Sequence, residues 1–223
     1  MYNFNITMNI PFTQSEFFEV FEKYNATAFP VQLIFLVLGI FALIQIHSGS
    51  LVKNRFIAAL LGLLWIWNGL VYHILFFTSI NKAAYLFGIF FLMQGIFFLI
   101  EASFRKKIFF EFIGRPQGYI GYIMALIGLF IYPLISLAIT KSFNDTISLG
   151  LPCPTTIFTF GMLMLTTSLP RYLLIIPTLW AIIGFMAALN FGVYQDILLL
   201  LSALFADIFL LRNRRLKNRK TEF

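Results

Sequence analysis

Long apolar runs, separated by short polar segments, dominate the chain. A helix needs about 20 consecutive apolar residues to cross the hydrocarbon core of a membrane. Six runs meet or approach this length: roughly 28 to 46, 56 to 78, 83 to 101, 118 to 140, 172 to 189 and 194 to 211. A seventh run, 155 to 169, is shorter and rich in threonine. Apolar and polar residues do not alternate within the runs, so they predict helices rather than barrel strands.

The distribution of positive charge decides between six and seven crossings. With seven spans and the N-terminus outside, thirteen lysine and arginine residues lie on the cytoplasmic side and only three lie outside. Cytoplasmic loops are normally the ones enriched in these residues. With six spans, the basic tail would face the side opposite Arg105, Lys106 and Lys107. We therefore predict an all-α membrane protein with seven transmembrane helices, the N-terminus outside and the C-terminus cytoplasmic.

A separate helix is predicted ahead of the first span. Thr13 and Glu16 have the spacing of a capping box, and Phe12 and Phe17 have the spacing of a hydrophobic staple. We expect this helix to continue to about Tyr24 and to lie at the outer interface of the membrane. The predicted organisation is an N-terminal outer segment with an amphipathic helix (1–27), one membrane domain of about seven helices (28–211) and a basic cytoplasmic tail (212–223).

Composition supports a membrane protein. Apolar residues make up 60% of the chain, charged residues 11%, and the mean hydropathy is +0.89, whereas soluble domains are about 45–50% apolar and about 25% charged. The net charge of +7 is concentrated in loops and the tail, which favours membrane orientation over nucleic-acid binding. Residues 1–13 lack the pattern of a cleavable signal, so the first transmembrane helix is expected to direct insertion.

Few residues could carry chemistry. The chain has no P-loop, no Gly-x-Ser-x-Gly and no His-Glu-x-x-His motif. Polar residues within the predicted spans are candidates because they are costly in lipid. They are Asn68, His73, Gln94, Thr155, Thr156, Thr159, Asp196 and Asp207.

Three polar residues in or at the ends of the spans have a structural alternative. His73 fits either a histidine bonded to a neighbouring helix or a proton acceptor and ligand. Asp207 fits either pairing with the basic tail or a functional role. Glu101, at the end of its span, fits a surface pair with Arg105 one turn later.

The single cysteine lies between two prolines in Pro152-Cys153-Pro154. One cysteine excludes an internal disulfide. Proline leaves nearby carbonyl groups without helical partners, and such irregular backbone can bind ions where it meets a cavity. A soft cation such as Cu(I) would suit Cys153 with Met162, Met164 and His73. The alternative is a proline-rich helix start with a buried thiol, since no ligand spacing is recognisable. The identity of any metal stays open, and no cofactor is expected.

Several segments together resemble an uncharacterised bacterial membrane family, domain of unknown function 6064. They are Pro11-Phe12-Thr13 with Phe17 and Phe18, Tyr24-Asn25, Tyr72-His73, Ile80-Asn81 with Ala83 and Ala84, Pro152 to Thr156 with Phe160-Gly161, and Trp180-Ala181 with Ala187 and Ala188. The resemblance implies a multi-pass protein of the bacterial inner membrane. It implies no activity, so it assigns no catalytic residue.

The predicted topology brings polar residues from several helices to the outer face. Convergent polar groups beside apolar walls are the usual form of a small-ligand site. The predicted ligand-binding residues are His73, Cys153, Asp196, Asn68, Tyr72, Tyr24 and Asn25.

Three functions fit this pattern. The first is transport or binding of a small solute or ion, which predicts a polar path through Gln94 toward the inner face. The second is a non-catalytic scaffold for a membrane-protein partner or a second copy of the chain, which predicts a dry core. The third is a membrane-embedded enzyme, which predicts His73 and an acid such as Asp196 within hydrogen-bond reach. Beyond these partners, the lipid bilayer is the only contact that we expect.

Overall fold

The computed structural model describes residues 11–48, 50 and 52–219. The predicted outer segment before Pro11 and the end of the basic tail, 220–223, lie outside the described residues. The helices are α1 (Gln14–Ala28), α2 (Val31–Gln45), α3 (Val52–Trp67), α4 (Ala84–Ile100), α5 (Pro116–Leu126), α6 (Tyr132–Thr140), α7 (Pro152–Met164), α8 (Tyr172–Phe191) and α9 (Ile197–Arg219).

Three helices carry π-helical segments. The π-helix Asn68–Phe76 extends α3 and ends in the 3-10 turn Phe77–Ser79. The π-helical turn Glu101–Arg105 ends α4, and Ile127–Ile131 joins α5 to α6. These segments widen the helix locally and change which side chains share a face, and they often occur at functional sites.

Consecutive helical elements join into longer continuous stretches. Within the described part of the chain, four such stretches are long and apolar enough to cross a membrane. They are Val52–Ser79, Ala84–Arg105, Pro116–Thr140 and Tyr172–Phe191, with 28, 22, 25 and 20 residues. The pair α1 and α2, which is bent by 81°, would be a fifth if it forms one span. The chain is therefore mostly helical and has the apolar helices of a membrane protein.

The predicted start of α1 is confirmed. Glu16 Oε2 accepts a hydrogen bond from the Thr13 backbone N–H at 2.7 Å, and Thr13 Oγ1 accepts one from the Glu16 N–H at 3.3 Å. The rings of Phe12 and Phe17 stack with centroids 6.0 Å apart, as a hydrophobic staple requires. The helix runs four residues past Tyr24, to Ala28.

The threonine-rich run 155 to 169 is not one continuous helix. Its helix, α7, has 13 residues, so it is about 20 Å long, shorter than the roughly 30 Å hydrocarbon core. Thr166–Ser168 then forms a strand, β2, that pairs antiparallel with Phe109–Phe110, β1. Threonine is β-branched and favours strands, which the all-helical prediction did not take into account.

Close backbone contact holds α7 at the centre of the molecule. All its residues except Cys153 are buried. A Cβ placed on Gly121 would lie 2.9 Å from the Gly161 carbonyl oxygen, and one placed on Gly128 would lie 2.7 Å from the Pro154 carbonyl oxygen. Because glycine lets helix backbones approach closely, α5 and its π-helical turn pack directly on α7 and fix the position of Cys153.

Candidate functional site

A cavity of about 340 Å³, the Asp196 cavity, lies at the end of the helix bundle where α7 begins. Tyr72 comes from the π-helix, Tyr132 from α6, Cys153 from α7, Trp180 from α8 and Asp196 from the turn before α9. Six phenylalanines also line it: Phe12, Phe17, Phe21, Phe77, Phe87 and Phe191. The cavity therefore has mostly apolar, aromatic walls and a small polar region.

The polar region is centred on the carboxyl group of Asp196, which is 4% exposed. The Tyr132 hydroxyl donates to one carboxyl oxygen, Oδ1. The Cys153 thiol donates to the other, Oδ2, at 3.2 Å. Three helical elements that are distant in sequence thus meet at one acidic side chain, which two donors hold in a fixed orientation.

Local structure explains why Asp196 lies there. Gly192 ends α8 with a φ of +72°, in the left-handed region that favours glycine. The chain then forms the 3-10 turn Tyr194–Asp196, closed by a hydrogen bond from the Asp196 N–H to the Val193 carbonyl at 3.0 Å. Asp196 directly precedes α9, where the helix dipole favours a negative charge.

Trp180 connects the cavity to a buried aromatic cluster. Its ring centroid lies 5.0 Å from that of His73 and 4.9 Å from that of Phe91. Its indole N–H is close to the Cys153 thiol, but the contact lacks the geometry of an ordinary hydrogen bond. Trp180 therefore leaves a buried donor at the wall of the cavity.

His73 does not line the cavity, contrary to its predicted place beside Cys153 and Asp196. It is fully buried among aromatic rings, with that of Phe91 at 4.6 Å and that of Tyr72 at 5.1 Å. Neither ring nitrogen has a hydrogen-bond partner among the described residues. The arrangement does not supply the histidine–acid pair that the enzyme hypothesis predicts, nor the helix–helix hydrogen bond of the structural alternative.

Asn68 also lies away from the cavity lining. Its amide donates to the Leu64 carbonyl at 2.8 Å and to Thr155 Oγ1 at 3.3 Å. Thr155 Oγ1 in turn accepts from the Gly150 N–H at 3.2 Å. Asn68 therefore connects the start of the π-helix to the start of α7.

Tyr24 and Asn25 hold the loop before α7 and are not part of the cavity lining. The Tyr24 hydroxyl donates to the Gly150 carbonyl at 2.7 Å and accepts from Trp67 Nε1 at 2.7 Å. The Asn25 amide donates to backbone carbonyls of the same loop, at residues 144 and 146. Of the seven predicted ligand-binding residues, only Tyr72, Cys153 and Asp196 line the cavity.

Two residues of the site, Tyr132 and Trp180, were missed by the sequence analysis as members of the polar region. Both lie inside long apolar runs, where an aromatic residue is as compatible with lipid as with a cavity. The available signal was the neighbouring prolines, Pro133 and Pro177, which mark irregular backbone in the same two helices.

The other polar candidates have local partners. Glu101 accepts from the Tyr172 hydroxyl at 2.5 Å and from the Lys107 N–H at 2.9 Å, which differs from the predicted pair with Arg105. Asp207 accepts from Thr178 Oγ1 at 2.9 Å. No group of three or more His, Cys, Asp or Glu side chains in the described part of the chain could hold a metal ion.

A protein-family model described as "Family of unknown function (DUF6064)" matches residues 14–221. The match covers nearly the whole chain, so the chain belongs to this family, as the resemblance predicted. No curated protein and no solved structure matches the chain.

Proposed function

We propose that this member of the DUF6064 family is a membrane protein that binds a small, largely apolar molecule in the Asp196 cavity. The cavity itself carries this proposal. Ligand sites are commonly concave, about 300–1,000 Å³ in volume, and lined by apolar and aromatic groups with a few placed polar atoms. The Asp196 cavity, at about 340 Å³ with one buried carboxyl group, fits the lower end of that range.

The proposal includes a topology of seven crossings with the N-terminus outside. The additional crossings would be α2, α7 together with the strand that follows it, and the apolar run 194–211, which contains the turn before α9 and the first part of that helix. The bias of thirteen against three basic residues supports this orientation. In this topology the Asp196 cavity lies at the outer face of the bacterial inner membrane.

Binding has more support than transport through the protein. The predicted polar path would pass Gln94, which is fully buried on α4. Its amide donates to the Leu173 carbonyl at 3.0 Å and thereby joins α4 to α8. A side chain used for helix packing does not mark a channel, so the proposal is limited to binding from the outer face.

The test fills the cavity and measures access to the thiol in it. Ala187 lines the cavity, so Ala187→Phe should fill it, whereas Leu189 on the same helix is 53% exposed and Leu189→Phe serves as the control. Cys153, the single cysteine of the chain, would be alkylated with N-ethylmaleimide in purified protein, with and without neopentylbenzene. We expect the probe to slow alkylation in the wild type and in Leu189→Phe, and to have no effect in Ala187→Phe.

Two results would overturn the proposal. One is an alkylation rate in the wild type that neither neopentylbenzene nor a cationic probe of the same shape changes. The other is a Cys153 that stays unreactive in folded protein and reacts only after denaturation, because the thiol would then lie in a packed core. The rates with and without the probe are compared within each protein, so a variant that changes the intrinsic reactivity of the thiol does not affect the result.

A further inference from the structure

The charge of the Asp196 cavity is unbalanced. Asp196 contributes the single ionisable carboxyl group among the lining residues, and none of these residues is lysine, arginine or histidine. The ion pair recorded among the described residues joins Lys23 to Glu19 on the surface of α1. The carboxyl group of Asp196 therefore has neutral hydrogen-bond donors and no cationic partner within the described part of the chain.

The two donors on Asp196 suit a negative charge. A hydrogen bond to the ionised form of a group stabilises that form, and both carboxyl oxygens of Asp196 accept one, from Tyr132 and Cys153. Each carboxylate oxygen has a further lone pair after accepting one bond. A buried carboxylate is costly unless a counter-charge accompanies it. A cation bound in the cavity would supply the positive charge that the lining residues lack.

The walls of the cavity suit an organic cation better than a metal ion. Aromatic faces attract ammonium groups, and aromatic cages bind quaternary ammonium ligands. Here six phenylalanines, two tyrosines and Trp180 line the same cavity as a single carboxyl group. Hard metal ions need several oxygen ligands, and no group of three or more His, Cys, Asp or Glu side chains occurs in the described residues.

We infer that the Asp196 cavity binds an organic ammonium ion with an apolar body, an inference that rests on the proposed function. The ammonium group lies beside the Asp196 carboxylate and the apolar part contacts the aromatic walls. Trp180 of α8 has the largest ring of the wall, and Tyr72 of the π-helix contributes another.

Two probes of the same shape separate charge from size. Benzyltrimethylammonium and neopentylbenzene differ in one atom, a cationic nitrogen in place of a carbon. Each would be titrated against Cys153 alkylation in purified wild-type protein, with concentrations corrected for partition into the detergent. We expect half-protection by the ammonium probe at a concentration at least about tenfold lower than by the neutral probe, because a buried charge pair adds to the apolar contacts.

A pair of matched variants locates the charge. Asp196→Asn keeps the size of the side chain and removes its charge, and it should abolish the preference for the ammonium probe. Asp207→Asn makes the same change on α9 at a carboxyl group that bonds to Thr178 and does not line the cavity. This control should keep the preference.

The outcomes distinguish the inference from the proposed function. If the neutral probe protects Cys153 as well as or better than the ammonium probe in the wild type, the cavity binds ligands but the charge inference is wrong. If neither probe protects a reactive Cys153, both are wrong. The wild-type comparison decides even if Asp196→Asn does not fold, and a preference that survives in folded Asp196→Asn would also overturn the inference.

Discussion

One added methyl group at Gly161 tests whether α7 is held by backbone contact with α5. A Cβ at this position would overlap the backbone nitrogen of Ala125, and would lie 2.7 Å from the Gly121 carbonyl oxygen and 2.9 Å from Ala125 Cα. These are backbone atoms, which cannot rotate away as a side chain can. Gly161→Ala should therefore push α7 and α5 apart.

The size of the effect follows from two opposing contributions. Overpacking a well-packed interior costs about 1–3 kcal/mol, whereas alanine is favoured over glycine in a helix by about 1 kcal/mol. Gly184→Ala in α8 shares the second contribution. Its Cβ would meet the end of a flexible side chain, Leu199 Cδ2, at 3.1 Å and make ordinary contacts with the Trp180 ring at 3.6 Å, but it would meet no backbone atom that close. Since the helix preference cancels between them, Gly161→Ala should be less stable than Gly184→Ala by about 1–3 kcal/mol.

The assay is unfolding of the purified protein by titration with sodium dodecyl sulfate in mixed micelles, followed by far-ultraviolet circular dichroism. The two variants and the wild type would be compared at the same total detergent concentration. Equal unfolding midpoints for Gly161→Ala and Gly184→Ala would refute the reasoning, because the close contact between α5 and α7 would then not limit the packing.

The remaining predictions concern the loop, the capping box, the topology and the thiol. Tyr24→Phe should destabilise the protein by about 1–3 kcal/mol in the same unfolding assay, because it leaves a buried carbonyl and an indole N–H without their partner; an unchanged midpoint would contradict this. The pKa of Glu16 is lowered by hydrogen bonds from the backbone and side chain of its N-cap residue, so its contribution to stability is present above the unfolded carboxyl pKa of about 4.3 and is lost as the pH falls through the lower folded value. The unfolding midpoint of the wild type should therefore be higher than that of Glu16→Gln at neutral pH, and the two midpoints should become equal in acid. A cytoplasmic reporter should be active when fused after Phe223 and silent near Asp145; activity near Asp145 would remove the seven-span topology. A membrane-impermeant maleimide added to intact cells should label Cys153, and labelling only after the membrane is opened would contradict the outward orientation.

The apolar pattern predicted the longest helical stretches well because these are encoded by local sequence. The predicted run 83 to 101 corresponds to the helical stretch Ala84–Arg105, and 172 to 189 corresponds to Tyr172–Phe191. The start of α1 was equally accessible, since a capping box depends on residues three positions apart. Such features need no knowledge of distant parts of the chain.

The site was harder to predict because it depends on which face of each helix points inward. Cys153 and Asp196 were singled out as polar residues in apolar surroundings, and they do meet. Tyr132 and Trp180 complete the site but resemble the aromatic residues that face lipid. His73 was expected in the cavity from its position near the end of a span, whereas the π-helix places it in the aromatic cluster behind Trp180.

The position of Asp196 itself argues for a ligand rather than for a structural role. Replacing a buried charged group by apolar residues is often neutral or stabilising, so buried charge is poor evidence of a stabilising contact. Asp207 on α9 is only partly buried and bonds to one hydroxyl group, so the cost of burying it is modest. Asp196 is almost completely buried, receives donors from two other elements and faces a cavity. A carboxyl group placed at such cost on the wall of a cavity supports the inference that a positively charged molecule binds there.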